Sequence, residues 1–375
     1  MTTTGPITNT TFFTDHFSSL IEPRRTSKGN LKYPLEEILF LTISAVISGC
    51  NTWTSIQEFG EQKIDWLRKF YKYEHKTPSH DAISDLFSIL DKKSFAECFM
   101  NWVYSIATLT DSDIVAFDGK TIRGVSSNSR KFPLHIVTAF CAKNRICLGQ
   151  ETVEDKSNEI IAIPNLLEIL ALKGCIVTID AMGCQKKIAE KIIKKEAHFI
   201  LQVKDNQKEL KEQIEKVFEL QSPQDSNTNI DIGHGRIETR KCDVISDLRF
   251  LDGKEDWKSL TSIVRIESLR EIKKTGVVSK EYRYYISSLA PDAERINQAI
   301  RSHWGIENHL HWNLDVVFQE DGELKRKGNS AENFNIITKA ALALIENETT
   351  LKKSKPLKRL RAALNDNYRE KIMKV

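Results

Sequence analysis

Apolar residues recur at three- and four-residue steps through the first third of the chain, which is the spacing of amphipathic α-helices. Pro34 at a first turn and Gly49 at a stop bracket the first of these segments. Four helices are predicted, over residues 35–50, 55–70, 77–90 and 94–106. Short connections between them predict a small all-α domain over residues 1–108. Helix-turn-helix DNA readers are built this way, although Asp81 and Asp85 give the third helix a poor surface for phosphate.

From Asp113 the pattern changes to short apolar or alternating runs, which are typical of β-strands. Three strands are predicted in DIVAFDG, HIVTAFCA and RICLGQETV. A helix, a buried strand in CIVTIDAMG, another helix and a strand in HFILQVKD follow. This order predicts an α/β domain over residues 109–207, a mixed sheet with helices on its faces.

A second β-rich region interrupts this domain. Residues 208–220 are predicted to form a helix, and SPQDSNTN after them a polar loop. Strands without any helical period are predicted in GRIETRKCDVI, SLTSIVRIESLR and GVVSKEYRYYISSL. Helix-forming sequence resumes at Asp292. We therefore assign residues 208–290 to a β-rich insertion and residues 291–348 to the second part of the α/β core.

The chain ends in a basic tail, residues 349–375. Nine lysines and arginines lie between Lys352 and Lys374, against Asp366 and Glu370. This pattern predicts a phosphate-binding surface or, alternatively, a plain solvated helix.

Residues 300–321, IRSHWGIENHLHWNLDVVFQED, are predicted to form one amphipathic helix. One side of that helix carries Trp304, Glu307, His311, Leu314 and Phe318. A carboxylate within such a stripe is costly to bury unless something positive meets it, and a metal ion or Arg301 is a candidate. In the alternative interpretation Glu307 only caps a core edge or pairs with a lysine.

Two aspartates follow buried apolar runs, Asp118 after residues 114–117 and Asp180 after residues 176–179. Carboxylates at the ends of neighbouring strands converge, and they need a cation to lie side by side. Oxygen ligands suit Mg²⁺ or Mn²⁺, and such sites hold two ions ~3.5–4 Å apart. Alternatively, Asp118 and Gly119 form a hairpin turn.

Composition narrows the function classes. The chain has 375 residues, 40% hydrophobic and 28% charged, as expected of a globular protein with a substantial core, and its net charge of +4 neither demands nor excludes a polyanionic partner. No apolar run reaches membrane-spanning length, and the N-terminus lacks the basic-then-apolar pattern of a signal peptide. We therefore expect a cytoplasmic protein without a membrane partner.

Seven cysteines are scattered without a CxxC pair, which predicts free thiols in a reducing compartment and argues against a structural zinc site. His303, His309 and His311 lie close together in the sequence, but no cysteine pair completes them. They are not favoured as metal ligands.

Three ordered motifs contain the acidic candidates: AFDGKTIRG at residues 116–124, TIDAMGCQ at 178–185, and HWGIEN at 303–308 followed by LHW and LDV. In that order they resemble the DDE transposases of bacterial insertion sequences, and within them the ISAs group that includes the H-repeat-associated proteins. PSHD and the helices before it resemble the group's N-terminal associated domain. GRIETR resembles the start of its β-rich insertion.

The resemblance implies an RNase H-like core, with Asp118 on its first strand, Asp180 on its fourth and Glu307 on a helix after the insertion. It implies that these three residues are catalytic and bind Mg²⁺ or Mn²⁺, with two ions expected. The implied reaction is DNA cleavage and strand transfer at the ends of the element. The expected partner is double-stranded DNA, both the terminal inverted repeats and the target.

Because two DNA ends must be held together, we expect a homodimer or a larger assembly on DNA, associated with the nucleoid.

Related enzymes carry a Tyr, Arg, Glu, Lys signature on the last helix. This chain has Arg301 and Glu307, but Leu314 stands where the lysine is expected. His311 or Lys325 is the candidate replacement for that DNA-backbone contact.

Further basic residues are predicted to contact DNA phosphates. Lys120 and Arg123 follow the first aspartate, and Lys204 ends the strand after Asp180. Arg236 and Arg240 lie in the insertion, where they would hold the DNA end or a flipped base, and Arg301 precedes Glu307. Trp304 nearby is interpreted as a core residue or a base-stacking platform. The predicted contacts are Lys120, Arg123, Lys204, Arg236, Arg240 and Arg301.

Two other functions remain open at this point. An RNase H-like endonuclease or resolvase would use the same acidic residues, but a compact nuclease has no use for the β-rich insertion. A transposase-derived DNA-binding protein with an inactive core would bind the element ends without cutting them.

Overall fold

The structure is a computed structural model that describes residues 12–17, 19–25, 31–106, 109–125, 134–153, 159–233, 235–322 and 324–375. Its helices are α1 (Phe12–Phe17), α2 (Leu35–Ile47), α3 (Trp53–Gln62), α4 (Ile64–Leu67), α5 (His80–Ile89), α6 (Lys92–Ile106), α7 (Glu159–Ile169), α8 (Lys186–Lys194), α9 (Lys208–Leu220), α10 (Ala293–His303), α11 (Trp312–Val316), α12 (Ser330–Asn347), α13 (Lys355–Leu364) and α14 (Asp366–Met373). Its strands are β1 (Ile114–Ile122), β2 (Leu134–Cys141), β3 (Ile146–Val153), β4 (Ile176–Ile179), β5 (His198–Val203), β6 (Asp225–Gly233), β7 (Arg236–Ile245), β8 (Ser262–Ile272) and β9 (Val278–Ser287).

The described strands form one sheet in the order β3-β2-β1-β4-β5-β9-β8-β7-β6. β1, β4 and β5 are parallel, and β2 and β3 lie antiparallel beside β1. β4 has the sequence IVTI and is buried throughout, as expected for a β-branched strand covered on both faces. This is the RNase H-like arrangement of a mixed sheet, so the predicted fold class is confirmed.

The strands of the predicted insertion continue the core sheet. β9 pairs antiparallel with β5, from Ile200 opposite Ser287 to Val203 opposite Tyr284. β8, β7 and β6 then follow as an antiparallel series. The predicted strands are therefore present, and the division of the chain into core and insertion remains a prediction.

The polar loop predicted at SPQDSNTN is wrong, because β6 begins at Asp225 and pairs with β7. β6 is an edge strand whose residues are mostly exposed, so burial imposes no hydrophobic alternation on it. Its polar side chains instead make specific bonds. Ser226 Oγ donates to Asp243 Oδ1 at 2.7 Å, and Asn227 Oδ1 accepts from Asn297 Nδ2 at 2.9 Å.

Helices cover both faces of the sheet. α10 lies on the face formed by β1 and β4–β7, and α7 and α8 pack against the opposite face. Ile296 and Ile300 of α10 are buried in a cluster with Ile176 of β4, Ile200 of β5 and Val264 of β8. This packing fixes α10 relative to β1 and β4, the strands that carry the two candidate aspartates.

The N-terminal and C-terminal helices share one hydrophobic core. α12 is buried along most of its length and packs against α2, α5, α6 and β3, while α13 and α14 return against α2. Arg359 donates to the Val46 carbonyl at 2.7 Å, and Arg369 lies 3.9 Å over the Trp66 ring. The interpretation of the tail as a plain solvated helix is therefore wrong.

No described helix is both long and apolar enough to cross a membrane.

β1 runs straight through Asp118 and Gly119, with Asp118 opposite Thr138 of β2, so the hairpin-turn alternative is wrong. A Cβ at Gly119 would lie 2.3 Å from Glu159 Oε1 and 2.5 Å from His135 Nε2. These two atoms form a buried hydrogen bond of 2.6 Å. Glycine is required here because side chains approach the backbone closely.

We predict that Gly119→Ala lowers the free energy of unfolding by about 1–3 kcal/mol, because the added methyl group displaces the Glu159–His135 pair. Denaturant unfolding followed by circular dichroism measures the change. Gly322→Ala is the matched control, since a Cβ there meets nothing within 4 Å. An equal loss of stability in both variants would contradict the packing argument.

Candidate metal centre

Two aspartates stand side by side on neighbouring strands. β1 and β4 are parallel, and the last pair in their register is Phe117 opposite Ile179, so Asp118 and Asp180 follow next to each other. Adjacent strands lie about 4.8 Å apart. Asp180 ends its strand, as predicted, and its Oδ1 accepts the Met182 N–H at 3.1 Å. The prediction that Asp118 ends a strand is wrong, because β1 continues to pair with β2 beyond it.

Glu307 lies at a break in the helix that follows the insertion. The single helix predicted over residues 300–321 is wrong: α10 ends at His303, a π-helix covers Ile306–His311, and α11 follows. π-turns are rare and occur frequently at functional sites. The predicted stripe is also interrupted, because His311, Leu314 and Phe318 are buried whereas Trp304 and Glu307 are exposed.

A hydrogen bond fixes the end of α10 to the sheet. His303 Nδ1 and Thr178 Oγ1 lie 2.9 Å apart, and Thr178 precedes Asp180 by two residues on β4. Burial lowers the pKa of His303 to about 4, so its ring is neutral at neutral pH. The helix break is therefore held directly above the strand that presents the second aspartate.

Asp118, Glu307 and His311 bring their side chains together in one cluster. His311 Nδ1 lies 3.4 Å from Asp118 Oδ2 and 3.8 Å from Glu307 Oε2. The three donor atoms all lie within 4.8 Å of one another. The sequence analysis did not favour His311 as a ligand. The sequence feature that could have identified His311 is its four-residue spacing from Glu307, which places both residues on the same side of a helical turn.

The electrostatics of the cluster reflect crowded negative charge. Burial, then the nearby Glu307 and Asp180, raises the pKa of Asp118 well above its usual value. The His311 imidazole lowers the pKa of Glu307. Without a cation, Asp118 therefore holds a proton more readily than an ordinary aspartate and Glu307 less readily than an ordinary glutamate, and binding a cation would favour release of the Asp118 proton.

These donors fit a divalent cation. Two carboxylates supply the oxygen ligands that Mg²⁺ and Mn²⁺ prefer, and a cation would offset both the burial and the neighbouring negative charge that raise the pKa of Asp118. Asp180 adjoins Asp118 in the sheet, outside the group of atoms within 4.8 Å that the described residues form. The assignment of Asp118, Asp180 and Glu307 as metal ligands remains a prediction, as does their catalytic role.

The loop after Asp180 is braced by amide side chains. Asn206 Nδ2 donates to the Ala181 carbonyl at 2.6 Å, and Gln207 Nε2 donates to the Cys184 carbonyl at 2.9 Å. Their amides are engaged within the protein, whereas the neighbouring Lys204 is exposed.

Lys120, on β1 beyond Asp118, is held by carboxylates. Its Nζ donates to Asp315 and to Glu320, the latter at 2.6 Å, and its side chain is 14% exposed. The charge is therefore already balanced within the protein. Arg123, at the end of the same strand, is exposed.

Lys325, one of the two candidates to replace the missing lysine, is buried. Its Nζ lies 3.6 Å from the centre of the Phe334 ring and 4.7 Å from that of Trp53, and it donates to the Asn51 carbonyl at 2.7 Å. A DNA backbone cannot reach it. The other candidate, His311, belongs to the acidic cluster.

A pocket of about 320 Å³ lies between the insertion strands and the helix break. Three of the predicted DNA contacts line it, together with two arginines that the sequence analysis missed, and Trp304 and Asn308 close it on the side of Glu307. The antiparallel register of β7 and β8 brings arginines together. It places Arg270 opposite Glu238, which is two residues from both Arg236 and Arg240 along β7. The five arginines are Arg236, Arg240, Arg270, Arg283 and Arg301.

The arginine pocket carries excess positive charge, because its five arginines meet two glutamates in the lining and Asp231, which pairs with Arg240 and Arg301. Arg236 and Arg240 pair with Glu238 at 2.8 and 2.7 Å. Burial, and then the proximity of Arg301, lowers the pKa of Arg240. Arg283 lies 5.0 Å over the Trp304 ring, so the indole forms one wall of the pocket as well as a platform for a cation.

Comparison with known proteins gives the chain relatives over nearly its whole length. The family described as "Transposase DDE domain" matches residues 109–344, and the family described as "DDE_Tnp_1-associated" matches residues 14–103. "Putative transposase YncI" of Escherichia coli O157:H7 is 40% identical over 367 residues, which cover 96% of this chain and 93% of that protein. "H repeat-associated putative transposase YhhI" of Escherichia coli K12 is 39% identical over 369 residues, 96% of this chain and 97% of the relative.

Among solved structures, a piggyBac transposase synaptic complex with hairpin DNA matches with a TM-score of 0.46 and 11% identity. The match covers 97% of this chain and 80% of that chain.

We predict that Asp118→Asn raises the free energy of unfolding of the metal-free protein at pH 7–8 by on the order of 1 kcal/mol. In the folded state the pKa of Asp118 lies above its ordinary 3.8, so the unfolded chain loses this proton first as pH rises. Stability that the protonated carboxyl contributes is therefore lost with increasing pH, and asparagine removes that loss.

Denaturant unfolding between pH 5 and pH 8 tests this, with exposed Asp252→Asn as the matched control. The stability difference between Asp118→Asn and wild type should widen with pH, and that of the control should stay constant. A difference that does not change with pH would contradict the raised pKa of Asp118.

Proposed function

Because the chain belongs to the transposase family defined by the DDE domain, we propose that Asp118, Asp180 and Glu307 are the catalytic residues with which it cuts and joins DNA. The observations that carry the proposal are that Asp118 and Asp180 lie side by side on adjacent strands, and that Glu307 from the helix break meets Asp118 in the acidic cluster. The same arrangement separates this function from simple DNA binding, which has no need of carboxylates held against their mutual repulsion.

Asp118 and Glu307, with Asp180 beside them, would hold the divalent cation, and we propose Mg²⁺ or Mn²⁺ and two ions. A divalent cation supplies charge stabilisation at the scissile phosphate and lowers the pKa of an attacking water or hydroxyl. The protein contributes position. The Thr178–His303 hydrogen bond and the packing of α10 keep the carboxylates in place before DNA arrives.

We propose two successive reactions in this site. Water attacks the phosphodiester at the element end, a new P–O bond forms, the bond to the 3′ oxygen breaks, and a 3′-hydroxyl is released. That hydroxyl then attacks a phosphodiester of the target, and the target's own 3′ oxygen leaves and takes up a proton. Each step exchanges one P–O bond for another, so no external energy source is needed.

The arginine pocket is the proposed surface for the element end. Its excess positive charge suits a phosphate backbone, and Trp304 beside Arg283 offers a flat face for a base that leaves the stack. Asn308 lines the pocket and directly follows Glu307, so a duplex bound there is led to the acidic cluster. Exposed Lys204 and Arg123 are proposed as further phosphate contacts.

Lys120 lies closest to Asp118 in the sequence, but its pairing with Asp315 and Glu320 gives it a structural role in this proposal. It fastens β1 to α11 through Asp315 and to the segment after α11 through Glu320. The proposed partners are the two terminal inverted repeats of the element and the target duplex. Because one active site processes one end at a time, we propose a homodimer or a larger assembly on DNA.

We predict that Asp118→Ala, Asp180→Ala and Glu307→Ala each lower the cleavage rate by a factor on the order of 10³ or more, because each removes a charge on which the reaction depends. The substrate is a linear duplex that carries the repeat flanking the gene, incubated with Mg²⁺ or Mn²⁺. Cleavage by wild type should stop when a chelator is added.

Binding to the same duplex, measured by mobility shift, should change little in these variants, and exposed Glu255→Ala should cleave like wild type. A variant that still cleaves at the normal rate removes its residue from the proposed site. Cleavage that persists in chelator would point to a covalent nucleophile instead.

We predict that Arg236→Ala, Arg240→Ala and Arg301→Ala each weaken binding to the element end and lower the slope of log Kd against log salt concentration by about 1. The physical reason is the loss of one phosphate contact with its released counterion. Arg249→Ala is the matched control, because Arg249 is an exposed arginine of the insertion that pairs with Asp247 and lies outside the pocket. Equal slopes for the pocket variants and the control would contradict the proposed DNA path.

A further inference from the structure

We propose that His311 is itself a ligand of the divalent cation, through Nδ1, and that it shifts the preference of the site from Mg²⁺ towards Mn²⁺. This inference rests on the proposed function, because it assumes that Asp118 and Glu307 hold a cation. It adds a nitrogen donor to a ligand set that the sequence motifs describe as oxygen only.

The distances match a shared ligand shell. In an octahedral shell with bonds of about 2.1 Å, neighbouring donors lie roughly 3.0 Å apart and opposite donors roughly 4.2 Å apart. The separations of His311 Nδ1 from Asp118 Oδ2 and Glu307 Oε2, 3.4 and 3.8 Å, fall between these values. Both are too long for a good hydrogen bond from an N–H to a carboxylate. The ring faces the carboxylates at the spacing of co-ligands.

The imidazole is held in this orientation by its surroundings. Its side chain is only 8% exposed, so the ring is largely shielded from solvent. It belongs to a π-helix that begins three residues after α10, whose last residue is tied to Thr178. A buried ring on a fixed turn is a pre-positioned ligand, which loses little freedom when a cation binds.

A second, independent observation concerns the other ring nitrogen, Nε2. His311 Nε2 is buried and has no hydrogen-bond partner in the part of the chain that the structure describes, and the same is true of Asn335 Oδ1. Both residues line a cavity of about 10 Å³, the scale of one water molecule, with Lys120, Glu320 and Lys339. A water there would accept a hydrogen bond from Nε2–H and donate one to Asn335 Oδ1.

That bridge would decide which ring nitrogen is free. A proton kept on Nε2 leaves the lone pair on Nδ1, and Nδ1 faces Asp118 and Glu307. Metal-bound histidines are oriented in this manner, by a hydrogen bond from the nitrogen that does not bind the metal. The two unpartnered atoms thus gain a role, because the water bridge between them would hold the tautomer whose Nδ1 lone pair can bind the cation.

A nitrogen ligand changes which cation is favoured. Mg²⁺ prefers oxygen donors, whereas affinity for imidazole increases from Mn²⁺ along the first-row metals. An Asp, Glu, His set should therefore bind Mn²⁺ more tightly relative to Mg²⁺ than a set of carboxylates alone.

The test uses the full metal-free chain, titrated separately with Mn²⁺ and Mg²⁺ by calorimetry, and pulsed electron paramagnetic resonance of the Mn²⁺ complex. Wild type should show ¹⁴N coupling to the bound Mn²⁺. His311→Gln, which offers an oxygen in place of the nitrogen, should lose that coupling. It should raise the Kd for Mn²⁺ by about tenfold and leave the Kd for Mg²⁺ within about threefold.

His309→Gln is the matched control, a nearby histidine outside the cluster, and should retain both the coupling and the affinities. Absence of ¹⁴N coupling in wild type would overturn the proposal without any variant. So would coupling that persists in His311→Gln, or an equal loss of affinity for both cations.

Asp118→Ala separates this inference from the proposed function. If Asp118→Ala abolishes binding of both cations while His311→Gln behaves like wild type, the metal site stands and only the ligand role of His311 fails. If Asp118→Ala binds both cations normally, the proposed catalytic site itself is wrong.

Discussion

Repulsion between carboxylates is the constraint on which the rest of this structure depends. Asp118, Asp180 and Glu307 come from the middle of a strand, the end of a strand and a break in a helix, and like charges at such separations resist ionisation. Burial, and then the negative charges of Glu307 and Asp180, raises the pKa of Asp118. The fold overcomes the repulsion through the buried strand β4, the apolar packing of α10 and the hydrogen bond between Thr178 and His303.

The π-helix joins two surfaces of opposite charge. Glu307 and His311 face the aspartates, while Trp304 and Asn308, on either side of Glu307 in sequence, line the arginine pocket. A regular α-helix would continue the apolar stripe through this region and cover the sheet with it. The local irregularity instead places an acidic cluster, which attracts cations, beside a basic pocket that attracts phosphates, and DNA chemistry requires both.

The sequence was informative where the pattern of neighbouring residues determines the local structure. Buried strands such as β4, the amphipathic helices, Asp180 after its apolar run and the ordered motifs around Glu307 were all recognisable. Four features were not. β6 carries no hydrophobic alternation because it is an exposed edge. The strand through Asp118 and Gly119 looked like a turn, since the buried Glu159–His135 pair that requires the glycine comes from distant segments. Arg359 and Arg369 looked solvated because their partners lie some 300 residues earlier. His311 was set aside because its neighbours in space, not in sequence, make it a potential ligand.

The pairing of β9 with β5 has a consequence for how this protein can be shortened. A domain inserted on a flexible stalk can be deleted and the chain rejoined, but here the deletion would strip β5 of its partner and leave its backbone N–H and C=O groups open along one side. Such an exposed edge strand pairs with strands of other molecules and promotes aggregation. Miniaturised versions must therefore supply a substitute strand or a covering helix at β5, and natural truncations that stop before β9 would leave insoluble remnants rather than small working enzymes.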